Sequence, residues 1–171
     1  RRRVYRMNAC GMLPAVTATD RGLIFRSPED VEVVIDSEQA FADQKPRLRA
    51  VIAYESRWNG TAKMAEAVAD GLESESVPYA LMNLQNCHCS DVMTELADSG
   101  ALILGSATRN NMPMVNMMAC LAHVKGLRPQ HLVGAAFGTY GWSGEAPKMM
   151  ADALADMKVE LVGEPLKCYF N

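Results

Sequence analysis

The first things to read in this sequence are its absences. No C-x-x-C pair occurs, and the five cysteines, Cys10, Cys87, Cys89, Cys120 and Cys168, form no even disulfide framework, so reduced thiols are expected. The "CHC" at Cys87 to Cys89 sets thiols at alternate positions with no second ligand cluster elsewhere, a poor basis for a tetrahedral metal site. No apolar stretch approaches the roughly 18 residues that a membrane span needs. The start lacks a secretory apolar core, and a cytoplasmic protein that does not engage membrane is expected. Positive charge is not in excess either: 17 Lys and Arg face 20 Asp and Glu, for a net charge of −3, and the only basic run is Arg1 to Arg3. That balance excludes a nucleic-acid binder working by phosphate neutralisation.

What is present is a soluble globular composition, 49% hydrophobic and 22% charged, over 171 residues, enough for one domain with an appendage. From residue 49 onward, short aliphatic runs alternate with helical patterns, the signature of βαβ units around a parallel sheet. Five strands are read: "RAVIAY" (49–54), "PYALMNL" (78–84), "GALILGS" (100–106), "HLVGAAF" (131–137) and "VELVGEPLKCYF" (159–170). Between them "GTAKMAEAVADGLES" places Met64, Ala65, Val68, Ala69 and Leu72 on one helical face. Residues 90–98, 114–124 and 144–157 read as further helices, their Met-rich stripes as adaptable core filler. The fold class is therefore α/β, a doubly wound five-stranded parallel sheet.

The first 48 residues have a different texture. "SPEDVEVVIDSEQAFADQ" opens with a Ser cap, Pro at the first helical position and Asp three residues after the cap, predicting a helix from about Pro28 to Ala42. "DQKPR" then reads as a linker before Pro46. The chain begins without Met, as a piece of something longer would. It stops in or just after its fifth strand, so one sheet face needs a cover from the N-terminal helix or a partner chain.

Ligands of open parallel sheets sit beyond the carboxyl ends of the strands, and three loops there are unusual. After strand one, "ESRWNGTAKMA" puts Ser56, Asn59 and Thr61 around Gly60 just before a helix. This suits either plain helix capping or an anion held by backbone N–H groups and hydroxyls. The spacing is not that of a Walker loop. After strand three, "GSATRNNMPM" presents Thr108, Asn110 and Asn111, either as an Asx-rich turn or as an edge reader for a heterocycle. After strand four, "FGTYGWSGEA" combines glycines with Tyr140 and Trp142, either as a turn capped by core aromatics or as the wall of a planar ligand. Together the three suit a phosphorylated planar cofactor.

The order and spacing of "ESRWNGTAKMAEAVADGL", "SDVMTELADSGALILGSATRNN" and "VGAAFGTYGWSGEAPKMM" resemble the flavodoxin-like FMN domain of flavodiiron proteins, over about Arg49 to Phe170. The resemblance implies that FMN is the cofactor. Its phosphate loop would be Ser56, Arg57, Trp58, Asn59, Gly60 and Thr61. The second flavin loop would be Ala107, Thr108, Arg109, Asn110 and Asn111, and the third Thr139, Tyr140, Gly141, Trp142, Ser143 and Gly144. Ala107 stands where the family usually has Pro, and Met112 where it usually has Gly. "TDRGLIFRSPED" resembles the end of the family's metallo-β-lactamase-like domain, so residues 1–48 read as an extension from that domain plus a linker helix, ahead of the flavodoxin-like domain at 49–171. Arg21 stands where an iron-binding His belongs, and no H-x-E-x-D-H motif occurs, so no catalytic side chain and no metal ligand are assigned.

The implied role is an electron-transfer module of an oxidoreductase. Its donor would be a rubredoxin or a flavoprotein reductase, its acceptor another domain or subunit, and its assembly a homodimer or larger. Two other readings fit the same residues: an interaction module that has lost FMN, and a flavin-dependent reductase of small quinones.

Overall fold

The computed structural model describes residues 46–170 in full, together with residues 15–16, 24–25 and 32. The chain divides into two compact units, Arg1–Asp43 and Gln44–Asn171. In the first, β1 (Ala15–Val16) pairs antiparallel with β2 (Ile24–Phe25). The predicted helix at 28–42, and the Arg21 slot, lie outside the described residues.

The second unit alternates strand and helix, interrupted by a short hairpin after the third strand of the sheet and by a break in the last. Its elements are β3 (Arg47–Glu55), α1 (Gly60–Ser74), β4 (Tyr79–Asn83), α2 (Cys89–Leu96), β5 (Ser99–Ser106), β6 (Thr108–Arg109), β7 (Met112–Pro113), α3 (Val115–Leu127), β8 (Val133–Tyr140), α4 (Ala146–Asp156), β9 (Glu160–Leu161) and β10 (Leu166–Tyr169). The main sheet runs β10-β8-β5-β3-β4, with β9 also on β8, and its pairings are all parallel. Chain order therefore reverses between β3 and β5, where the carboxyl ends diverge and a cleft opens.

Both faces of the central strands are covered, which is why Val51, Ile52 and Ala53 read as a continuous apolar run rather than an alternation. On one face Ile52 and Phe137 pack with Ala65 and Ala69 of α1, the helical stripe expected from their spacing. On the other, Val51, Leu102 and Leu104 meet Val92, Met117, Cys120, Val124, Met150 and Leu154. Met117 and Met150 are fully buried, as filler should be, and each such side chain contributes about 1.5–3 kcal/mol by leaving water.

Two departures from the sequence reading bear on the site. The fourth strand starts later and continues through Gly138 and Thr139 to Tyr140, because β10 pairs along that stretch: Lys167 lies opposite Gly138, Cys168 opposite Thr139 and Tyr169 opposite Tyr140. The fifth strand is split into β9 and β10, with Gly163 between them at φ 76, a left-handed turn that breaks the pairing while both pieces stay on β8. All four residues of β10 are exposed.

Candidate functional site

The first loop joins β3 to α1. Glu55 and Ser56 are buried, whereas Arg57, Trp58 and Asn59 are exposed. Asn59 adopts left-handed backbone, φ 64, and makes no side-chain cap to α1. The hydroxyl of Thr61, fully buried, is instead 2.8 Å from that of Thr139. Neither residue that could have capped the helix does so, and the positive end of α1 stays available to an anion. Beside it the Ser56 hydroxyl is buried with no hydrogen-bond partner, the one such side-chain atom among the described residues. Gly60 begins the helix against the Phe170 ring: a Cβ there would lie 2.5 Å from Phe170 Cδ2, so no larger residue fits without moving that ring.

The second loop is a miniature hairpin of β6 and β7. Asn110 and Asn111 both take positive φ, 51 and 61, as a two-residue type I′ turn requires and Asn tolerates. The hairpin is pinned at both ends: Ala107 N donates to Glu55 O at 3.3 Å, and Met114 N to Ser106 Oγ at 2.9 Å. Thr108 Oγ1 accepts from Ala146 N at 3.3 Å, tying it to the start of α4.

In the third loop Gly144, at φ 75, lies under the Tyr140 ring, where a Cβ would be 2.9 Å from Cγ. Tyr169 meets Tyr140 edge-on, 5.6 Å between centroids at 74°. Ser143 Oγ reaches Glu145 Oε2 at 2.7 Å and Asn111 Oδ1 at 3.1 Å, linking the second and third loops. Trp142 is 95% exposed, its indole standing in solvent.

These loops enclose a cavity of about 220 Å³. Arg57, Trp58 and Gly60 line it from the first loop, Ala107, Thr108 and Arg109 from the second, and Thr139, Tyr140 and Gly141 from the third. Of the other residues expected there, Ser56, Asn59, Thr61, Asn110, Asn111, Trp142, Ser143 and Gly144 do not line it. Met114 and Phe170 do, and sequence reasoning missed both. Phe170 reads as the last residue of the fifth strand, and Met114 as one more core methionine. The Arg57 guanidinium sits 5.5 Å from the Trp58 ring centroid, which holds the loop's one cation over an aromatic face.

Outside this cleft, His88 caps α2 by accepting from Ser90 N at 3.2 Å, and Cys87 Sγ donates to Asn83 O, so "CHC" serves local structure. Among the described residues no group of three or more His, Cys, Asp or Glu is placed to hold a metal ion. No described helix is long and apolar enough to cross a membrane.

A doubly wound sheet whose switch-point cleft joins an uncapped helix N-terminus to a ring-sized cavity between two loops defines a mononucleotide-cofactor domain. The flavodoxin family model matches residues 52–171, and the chain belongs to that family. It is 38% identical over 157 residues to the rubredoxin-oxygen oxidoreductase of Megalodesulfovibrio gigas, covering 92% of this chain and 39% of that protein. It is likewise 38% identical to the nitric oxide reductase of Moorella thermoacetica, over 86% of this chain and 37% of that one. The solved rubredoxin oxygen:oxidoreductase from Desulfovibrio gigas superposes with a TM-score of 0.81 at 38% identity, over 86% of this chain and 37% of that chain. The chain thus spans about two fifths of the length of these relatives, and within them it is similar to the flavodoxin-like domain of flavodiiron proteins.

FMN is the cofactor of the flavodoxin family, whose strand order is a standing example of ligand binding at the switch point. The residues present fit it. An orphaned buried hydroxyl at Ser56 and an open helix end offer donors to a dianionic phosphate, and the cavity beside them is bounded by backbone at Gly141 and by the Tyr140 ring. When bound, FMN supplies one- and two-electron transfer. Ser56, Thr61 and the backbone at the start of α1 would hold its phosphate, and the residues lining the cavity would flank its ring.

Proposed function

We propose that this chain is the electron-relaying flavodoxin module of a flavodiiron-type oxidoreductase. The observation that carries the reading is the partnerless, buried Ser56 hydroxyl in the loop ahead of the uncapped N-terminus of α1, whose first residue, Gly60, lines a cavity walled by two further loops. In this reading Ser56, Thr61 and the backbone at 57–61 receive the phosphate, with Arg57 the one cation of that loop. Residues 107–111 and 139–144 flank the ring. Residues 1–48 are the tail of a metallo-β-lactamase-like domain and its linker helix.

Electrons enter from a rubredoxin or a flavoprotein reductase and leave to an acceptor site on another domain or subunit. The names of the relatives, a rubredoxin-oxygen oxidoreductase and a nitric oxide reductase, support dioxygen or nitric oxide as the final acceptor of the larger protein. A homodimer or larger assembly in the cytoplasm belongs to the same reading.

The test is reconstitution of the full chain. Titration with FMN should saturate at one equivalent with a protein-perturbed flavin spectrum, and reduced rubredoxin should bleach it. Absence of saturable FMN binding would refute the reading. Oxidation of NADH or NADPH without any donor protein would replace it with a direct reductase.

A further inference from the structure

We propose that Glu55 is a positioning residue for the cofactor: it hangs the ring-side loop from the phosphate loop. The inference rests on the reading that FMN occupies this cleft. Glu55 closes β3, is 3% exposed and carries an acid where the sheet interior would ordinarily accept none. Among the described residues no basic side chain forms an ion pair with it.

Its carboxylate is spent on one helix end. Oε2 accepts from Met117 N at 2.9 Å and Oε1 from Asn116 Nδ2 at 3.0 Å, within the first turn of α3. A buried carboxylate is expensive unless its lone pairs are met, and the donors and positive pole of α3 meet them. The same residue's backbone carbonyl accepts from Ala107 N at 3.3 Å.

One residue therefore holds both flanks of the segment 107–117. The hairpin between those anchors contributes Thr108 and Arg109 to the cavity, and its last residue before α3, Met114, lines it too. Glu55 is also one peptide bond from Ser56. Any displacement of the phosphate loop is thus passed to the segment through a single residue, by its carbonyl at one flank and its carboxylate at the other. Residues 55 and 116 are 61 apart in sequence, so this bond crosses two strand-to-helix units to join two loops.

The roles separate by ligand. Loss of the Glu55 carboxylate leaves the phosphate donors of Ser56 and Thr61 and the Ala107–Glu55 backbone bond in place but releases the α3 end of the segment, and with it the flank that carries Met114. FMN and riboflavin should therefore weaken together, unlike a phosphate-loop lesion, which spares riboflavin. Glu55→Gln keeps an acceptor for Met117 N, and its amide can donate to Asn116 Oδ1 once that amide turns, so it should restore the link.

The experiment measures FMN and riboflavin affinity of the full chain, and amide hydrogen exchange of residues 107–117 in the apoprotein, for Glu55→Ala, Glu55→Gln and Asn116→Ala. Losing hydrogen bonds to a buried charged group should weaken both ligands about tenfold or more in Glu55→Ala, and speed exchange comparably. Asn116→Ala, with one donor removed, should fall about threefold, and Glu55→Gln should stay within about threefold of wild type.

The proposal is overturned by unchanged exchange in Glu55→Ala, by a loss confined to FMN, or by a Glu55→Gln variant as impaired as Glu55→Ala. Should Glu55→Ala fail to fold, Asn116→Ala and Glu55→Gln decide the proposal on the same readouts. A wild-type chain that binds no flavin would sink the functional reading alone, since exchange of 107–117 still reports on Glu55.

Discussion

Replacing Ser56 with Ala separates a ligand-binding hydroxyl from a structural one by sign. In the protein without cofactor, Ser56 Oγ is buried and unpaired, and a polar group in that state costs about 1–3 kcal/mol relative to its hydrated form in the unfolded chain. Alanine removes the hydroxyl and keeps the Cβ. The apoprotein should therefore become more stable, by about 1 kcal/mol after partial relaxation, which for a domain of this size raises the melting temperature by about 2–4 °C. FMN binding should move the other way. A hydroxyl donating to a charged phosphate contributes about 1.5–3 kcal/mol, so affinity should drop by about 10- to 150-fold. Riboflavin, which lacks the phosphate, should bind Ser56→Ala as it binds wild type.

Calorimetric melting of apoprotein and fluorescence titration with the two flavins decide the matter. A lower apoprotein melting temperature, together with equal losses for FMN and riboflavin, would refute the reasoning. It would mean that Ser56 has a structural partner in solution and does not meet phosphate.

Thr61→Ala should also weaken FMN more than riboflavin, but it strips Thr139 of its 2.8 Å partner and should lower apoprotein stability by about 1 kcal/mol, opposite in sign to Ser56→Ala, as melting would show. Tyr140→Ala, which removes the ring braced by Tyr169 over Gly144, should weaken FMN about two- to twelvefold and raise the flavin midpoint potential. Trp142→Ala should leave apoprotein melting unchanged because the indole is already in water, and an unchanged potential in both variants, with destabilised apoprotein, would sink the flavin wall. Burial pushes the Cys120 thiol up to about 12 from an ordinary 9.0, so iodoacetamide at pH 8 should modify exposed Cys168 and spare Cys120 until the protein unfolds. Because the folded pKa is the raised one, the stabilisation is complete below about 9.0 and should be lost as pH climbs toward 12, measurable by denaturant titration.

The sheet was legible because its signals are local. Apolar runs such as "AVIA" and "ALIL" sit between amphipathic helices, and burial on two faces demands that pattern whatever the ligand. The strand ends were less legible because they are set by neighbours. Tyr140 belongs to β8 only because β10 pairs as far as Tyr169, and the fifth strand breaks at Gly163, two residues before Pro165, a turn signal that a single-strand reading of the stretch passes over.

The loops were legible as places, while their wiring was not. The bonds that join them are Thr61 to Thr139, Glu55 to Asn116 and Met117, Thr108 to Ala146, and Ser143 to Asn111. Each is made by a short polar side chain with many ordinary uses, across separations of 32 to 78 residues. No periodicity marks such a pair, since each partner's spacing is fixed by the length of the strand and helix between them. A cofactor loop read singly always has a bland alternative, a cap or an Asx turn. The structure removes the capping alternative at these two residues: Asn59 makes no side-chain cap, and the Thr61 hydroxyl turns to that of Thr139. In the flavin reading, what matters in this cleft is less which residues line it than how three loops are held in register, and that register is what the Thr61 and Glu55 variants perturb.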